Sequence, residues 1–216
     1  MRILTLDSTV GRCAVTCVAD SFGTGEHLDI TRGQPGILAS MTQRVLRTAG
    51  VTTDELDLIA VTVGPGSFTG IRSALGLAHG LGLGAGVRVV GVTVGEALKA
   101  ALPFLGQRML WTAVSSRPGR VFIETEAGVL SLPVTDLPLP DGPVALAGTE
   151  AAEIASRLAA KGANVMLTDA RFPAGTHIAE AAVKRLQGVL PPRPAEPLYV
   201  DAPEAKLPPA RPALAT

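Results

Sequence analysis

Residues 2–102 alternate between short apolar runs of strand length and longer amphipathic runs of helix length, in an order that leaves few folds open. Arg2 to Leu6 is an alternating run that ends in the turn Asp7-Ser8-Thr9-Val10-Gly11. Arg12 to Ala19 reads as a second strand and His27 to Thr31 as a weaker third. Ile37 to Leu46 carries apolar residues at helical spacing, with Arg44 and Arg47 near its C-terminal end, where the helix dipole favours them. Leu56 to Val63 is a continuous apolar run, as a strand buried on both faces requires. After the loop Gly64–Gly70, a Gly-rich helix runs to about Leu83, and Arg88 to Val92 is another buried strand. Thr93-Val94-Gly95-Glu96 is a capping box that opens a helix to about Leu102. Three strands, then helix, strand, helix, strand, helix, imply an α/β protein with a mixed sheet and helices on its faces.

The second half is looser. Met109 to Ser115 and Arg120 to Glu126 can form a hairpin around Arg117-Pro118-Gly119, and Leu137 to Pro143 is a loop. Thr149 is placed to cap a helix to Ala160, Val165 to Thr168 reads as a strand, and Thr176 opens a last helix through Leu186. Leu190 to Thr216 is dense in proline and cannot hold a helix. The element order resembles the ribonuclease-H-like unit that is doubled in the actin-like ATPase superfamily. Two such units are therefore expected: residues 1–103, residues 104–189 as a reduced second copy, and a Pro-rich tail at 190–216.

Composition excludes several functions. The 216 residues carry 19 basic and 19 acidic side chains, so a strongly basic nucleic-acid clamp is ruled out. With 47% hydrophobic and only 18% charged residues, the chain has little to keep copies apart, which favours self-association or a permanent partner. Five Phe, one Trp and one Tyr are too few to build a base-stacking surface. Cys13 and Cys17 lie four apart in a strand, on one face, and read as buried small apolar residues. His27, His79 and His177 are too dispersed to complete a metal site with them. The apolar run at the N-terminus is too short for a signal peptide. The uncharged stretch Ser73–Val87 falls short of the ~20 residues that span a bilayer. A cytoplasmic protein without membrane contact is expected.

Two features bear on function. Gly64-Pro65-Gly66-Ser67-Phe68-Thr69-Gly70 precedes a helix, but it is neither a Walker A loop nor a nucleophile elbow. Ser67 or Thr69 is placed to cap the helix. Alternatively the loop amides face an anion, with Asp7, Ser8, Thr9, Gly66 and Ser67 nearest the phosphate. Within the helix, Gly76, Gly80 and Gly84 form a smooth stripe. Each glycine costs about 1 kcal/mol relative to alanine in a helix interior, so close approach by another helix, in this chain or a second one, is the expected compensation. No paired carboxylate or metal-spaced histidine cluster completes an active site, so no catalytic or metal-binding residue is assigned.

Met1-Arg2-Ile3-Leu4-Thr5-Leu6-Asp7-Ser8-Thr9 together with Gly64-Pro65-Gly66-Ser67-Phe68-Thr69-Gly70-Ile71-Arg72 resembles the TsaB family, also called YeaZ. Pro197-Leu198-Tyr199-Val200 is similar to that family's C-terminal Pro-x-Tyr-Leu stretch. The resemblance implies a noncatalytic subunit, similar in fold to the catalytic TsaD subunit and acting as its obligate partner. It implies pairing through the first two helices of each chain, and a homodimer through the same surface when the chain is alone. Here that surface is Ile37, Met41 and Val45 on the first helix with Ser73, Gly76, Leu77, Gly80 and Gly84 on the second. The resemblance further implies that a TsaE-type ATPase docks on the pair and that the assembly transfers threonylcarbamoyl to N6 of adenosine-37 in tRNAs reading ANN codons. The chain would meet tRNA only through the complex and carry no cofactor of its own, with ATP or ADP confined to the complex junction. The sequence departs from the family pattern at Gln34-Pro35, Ser115 and Asp201. The competing expectation is an independent small nucleotide-binding kinase or hydrolase of the same superfamily, with Asp7 holding a metal–phosphate group.

Overall fold

β1 (Arg2–Asp7) is the central strand of a five-stranded sheet in the order β3-β2-β1-β4-β5. The computed structural model describes residues 1–19, 22–29 and 34–200. The predicted strand end at Ile30 and Thr31, the side chains of Gln34 and Pro35, and the tail from Asp201 onward lie outside the described residues. β2 (Arg12–Ala19) pairs antiparallel with β1, Arg2 opposite Ala19 and Asp7 opposite Ala14, and β3 (Phe22–Asp29) continues the meander. β3 starts well before the predicted His27. It is a mostly exposed edge strand carrying Gly23 and Gly25, so it lacks the apolar alternation that marks a strand. β4 (Leu58–Gly64) and β5 (Val89–Thr93) run parallel to β1, with Ile3 opposite Leu58 and Ile59 opposite Val89.

Both faces of this sheet are covered, which is why β4 reads as an unbroken apolar run. Leu4, Leu6, Ile59 and Val61 point to one face, where α1 (Gln34–Ala49) and α2 (Phe68–Ala85) pack. Cys13 and Cys17 are buried free thiols in the same core. Ile3, Leu58, Ala60, Val90 and Val92 point to the other face.

The second unit repeats the first strand for strand. β6 (Met109–Ser115), β7 (Arg120–Thr125), β8 (Gly128–Pro133), β9 (Val144–Ala147) and β10 (Val165–Leu167) form a sheet in the order β10-β9-β6-β7-β8. β6 again has an antiparallel hairpin on one side and parallel strands on the other. β8 and β9 are absent from the sequence-based expectation. β8 is a half-exposed edge strand ending in proline, and β9 is the four-residue run Val-Ala-Leu-Ala, too short and too alanine-rich to signal a strand. What is reduced is the helical cover. Where the first unit has α1, this one has a loop, and Leu137 from that loop is buried against Trp111, Val121 and Ile123. α4 (Ala151–Ala160) covers the same core. Thr149 does not cap it: the cap position is Glu150, without a side-chain cap bond, and the buried Thr149 hydroxyl has no partner.

The last helix, α5 (Gly175–Leu186), lies within the segment expected to form the second unit but packs on the first sheet. Its Ile178, Ala179, Ala181 and Ala182 fill the face left open by α1 and α2. The small side chains let the helix sit close to the strands. α3 (Val94–Ala100) packs beside it and also forms the seam between the units, where Val94 and Leu98 meet Val10, Val114 and Ala147. Its predicted capping box is present: the Glu96 amide donates to Thr93 Oγ1 at 3.0 Å and the Thr93 amide to Glu96 Oε2 at 2.7 Å.

A polar joint closes the seam. Buried Arg185 of α5 donates to the Gly91 carbonyl and to Glu96 Oε1, and Arg193 Nε lies 3.7 Å from the same carboxylate oxygen. Glu124 of β7 accepts from the Gly95 amide at 2.7 Å. Burial is the main reason its carboxyl is pushed up to about 7, and the nearby Glu96 charge adds to the shift.

Two outcomes are expected. Ala182→Leu should overpack the α5–sheet contact and lower stability by about 1–3 kcal/mol in urea unfolding; an unchanged midpoint would mean that α5 does not pack there in solution. Glu124 has a folded pKa above its ordinary value of 4.5, so its ionisation opposes folding. That stability is intact below the ordinary value and is lost as pH rises toward 7. Glu124→Gln keeps an acceptor for Gly95 but does not titrate. It should match the parent protein in acid and exceed it by about 3 kcal/mol at about pH 8, as read from unfolding curves at both pH values.

Candidate functional site

β1 and β4 are neighbouring parallel strands, and their C-terminal ends bring the Asp7-Ser8-Thr9 turn against the Gly64–Gly70 loop. Asp7 is completely buried. Its Oδ1 accepts from the Thr62 hydroxyl at 2.5 Å, the Thr9 hydroxyl at 2.6 Å and the Thr9 amide at 3.1 Å, while Oδ2 has no partner. Burial raises its pKa above the ordinary aspartate value, against the lowering effect of those hydrogen bonds.

The loop lies on the turn backbone to backbone. The Ser67 amide donates to the Thr9 carbonyl at 2.7 Å. Gly66 has φ +150, and a Cβ there would strike that same carbonyl; a Cβ on Gly70 would strike the carbonyl of Ser8. Glycine at 66 and 70 is what lets the loop lie this close. Ser67 caps α2, accepting from the Gly70 amide at 3.2 Å. The residues expected near a phosphate are thus brought together, but as a packed joint. Asp7, Ser8 and Thr9 are buried, and only Gly66 and Ser67 keep partial exposure. The Asp7 carboxylate is fully buried.

The open surface is on α2. A Cβ added at Gly76, Gly80 or Gly84 would meet nothing within 4 Å, so no part of the described chain approaches the stripe. Gly82, by contrast, is buried, and a Cβ there would lie 2.6 Å from Val89. Phe68 and Leu83 on the same helix are exposed at 58% and 89%. Phe68, Thr69, Arg72, Ser73, Gly76 and Leu77 line a shallow groove at its N-terminal half. Ser73 keeps its hydroxyl bonded within the helix, to the Thr69 carbonyl at 2.8 Å.

The expected α1 contribution needs correction. Met41 and Val45 are 2% and 1% exposed and face the chain's own core, because their spacing follows the stripe that α1 buries on the sheet. Ile37 is only partly buried and stays near the surface. Two side chains at the groove were not assigned a role from sequence. The Arg72 guanidinium lies 3.6 Å from the centre of the Phe68 ring and donates to the Tyr199 hydroxyl at 2.7 Å. Phe68 and Arg72 stand one helical turn apart, a legible signal, but nothing local links them to Tyr199.

Comparison with known proteins agrees with this architecture. Residues 35–129 match the family model of TsaD, tRNA N6-adenosine threonylcarbamoyltransferase. The tRNA threonylcarbamoyladenosine biosynthesis protein TsaB of Escherichia coli strain K12 is 32% identical over 123 residues, 56% of this chain and 53% of that protein. The chain thus spans about half the length of the curated relatives it matches. A crystal structure from Pseudomonas aeruginosa, described as an uncharacterized protein with similarity to peptidase YEAZ, superposes with a TM-score of 0.76. It covers 93% of this chain and 99% of its own at 23% identity. A second, YeaZ from Pseudomonas aeruginosa, gives 0.74 at 22% identity, covering 92% and 99%. At these identities the two structures show the shared fold. The Gly64–Arg72 motif, the doubled five-stranded units and these relatives agree in likening the chain to the TsaB/YeaZ proteins.

Proposed function

We propose that this chain is the noncatalytic partner subunit of the complex that places N6-threonylcarbamoyl on adenosine-37 of ANN-decoding tRNAs. The observation that carries the reading is the open stripe of Gly76, Gly80 and Gly84, whose Cβ positions meet nothing within 4 Å. A helix bearing so many exposed glycines is costly by itself and gains its compensation when another helix packs on it. The relatives named for this biosynthesis, and the TsaD model that matches across α1 and α2, support a TsaD-type subunit as that other chain. The complete burial of Asp7, whose Oδ1 is taken up by the Thr9 and Thr62 hydroxyls, supports a noncatalytic role.

On this reading the chain docks a TsaD-type subunit through α2 and the exposed edge of α1. It forms a homodimer through the same face when alone, and a TsaE-type ATPase joins the pair. It works in the cytoplasm and meets tRNA only through the complex. It supplies no cofactor, and any ATP or ADP sits at the complex junction.

Light scattering on a sizing column tests this: the chain alone should elute as a homodimer and, mixed with the TsaD-type subunit of its source, as a one-to-one complex. Gly80→Leu should abolish that complex while the circular dichroism spectrum stays unchanged. A complex that persists in this variant would place the interface elsewhere. Asp7→Asn separates the scaffold from an enzyme. Because burial raises the Asp7 pKa, its ionised form opposes folding, and stability falls as pH rises above the ordinary aspartate value. The variant should therefore melt higher than the parent at neutral pH, lose that advantage in acid, and leave tRNA modification by the assembled complex intact. Loss of an activity intrinsic to the purified chain would instead identify a kinase or hydrolase.

A further inference from the structure

Residues 190–200 leave α5 as an extended strap across the first unit. Arg185 Nε donates to the Pro191 carbonyl at 2.8 Å. Ala195 is buried in the first core, and its carbonyl lies 2.7 Å from Nε2 of His79 on α2. The Leu198 amide donates to the Val63 carbonyl of β4 at 2.9 Å. These fixings deliver Tyr199 to the first turns of α2. There its hydroxyl accepts from Arg72 Nη2 at 2.7 Å and Nε at 3.2 Å. The guanidinium carbon lies 3.6 Å from the Phe68 ring centre and 5.6 Å from that of Tyr199. Arg72 is thus held between two aromatic side chains that are themselves 58% and 57% exposed.

Arg72 is the one charged side chain on α2, and among the described residues it has no acidic partner. A free arginine side chain loses much rotamer freedom when it is fixed at an interface, whereas one already fixed does not. The rest of the exposed face of α2 is uncharged. A surface complementary to α2 therefore presents apolar helix with a carboxylate opposite Arg72. The smooth glycine stripe beside Arg72 admits such a helix at close range.

We infer that Tyr199 is a positioning residue for docking: it fixes the Arg72 guanidinium so that a carboxylate on the facing helices of the TsaD-type subunit pairs with it beside the glycine stripe. This rests on the docking face proposed above and extends it, because the C-terminal strap then supplies part of an interface otherwise made by α1 and α2. Tyr199 carries no core packing, since Leu198 and Ala195 anchor the strap. Changing its side chain should leave the fold in place.

The test is calorimetric binding of the full-length chain to the TsaD-type subunit, with amide and arginine Nε–H NMR spectra of the free chain. Tyr199→Phe keeps the ring and loses the acceptor; Tyr199→Ala loses both. They should weaken binding by about threefold and by more than about tenfold respectively, with unfolding temperatures unchanged. Arg72→Lys should bind no better than Arg72→Ala, since an ammonium cannot lie flat between the rings or share two donors with one hydroxyl. In the free chain the Arg72 Nε–H should exchange slowly and lose that protection in both Tyr199 variants. If Tyr199→Ala binds like the parent, or the Arg72 Nε–H is indifferent to Tyr199, the strap has no positioning role. Should Gly80→Leu abolish binding while Tyr199→Ala does not, this inference alone fails. Should the parent chain bind no such subunit, or Gly80→Leu bind as well as the parent, the docking face fails and this inference with it.

Discussion

The contact between the Asp7–Thr9 turn and the Gly64–Gly70 loop sets the geometry of the first unit. Two carbonyls of the turn occupy the space where Cβ atoms would stand at Gly66 and Gly70, so the loop can lie at no other residue types without moving. That contact fixes where Ser67 sits, and Ser67 begins α2. The axis of α2, and with it the direction in which the glycine stripe faces, follows from a backbone contact at the head of the helix.

The two units share a strand order but not a division of labour. The first sheet is covered on both faces, and one of its covers, α5, comes from beyond the second sheet in the chain. The second sheet has α4 and a loop leucine on its core face. The units are bound by more than the seam around α3. Arg185 ties α5 to β5 and α3, and Glu124 reaches from β7 to the first turn of α3. Removing one partner from such a buried polar set leaves the others unpaired, which costs more than the net value of any single bond. Relative motion of the two units is accordingly opposed where α3, α5 and β7 meet.

Much of this was legible in the sequence, for physical reasons. β1, β2, β4, β5, β6 and β7 announce themselves because apolar runs of strand length alternate or persist according to burial. The capping box at Thr93 and the Ser67 cap are local chemistry, written within four residues. The glycine stripe was legible as well, but whether a helix of this chain covers it was not, since close packing within a chain and between chains leaves the same spacing. β8 and β9 were not legible, because an edge strand and a short alanine-containing strand lack a pattern of their own. Nor was the destination of α5: an amphipathic helix shows that it has a buried face but not which sheet buries it. Met41 and Val45 illustrate the same gap, being apolar and correctly spaced yet turned inward. The meeting of Arg72 and Tyr199 joins residues 127 apart and belongs to the tertiary fold alone.

The return of α5 to the first sheet also governs how the chain acquires its fold during synthesis. When residues 1–103 have emerged, Ile3, Leu58, Ala60, Val90 and Val92 line a sheet face that only Ala97 of α3 helps to cover. They wait for Ile178 and its neighbours, on the order of ten seconds later at translation rates of about 5–20 residues per second. The N-terminal unit is therefore completed last, by a helix made after the whole second sheet. A nascent chain of this design carries a largely uncovered apolar sheet face from the emergence of β5 until α5 is made, and over that interval it is a natural client for holding chaperones.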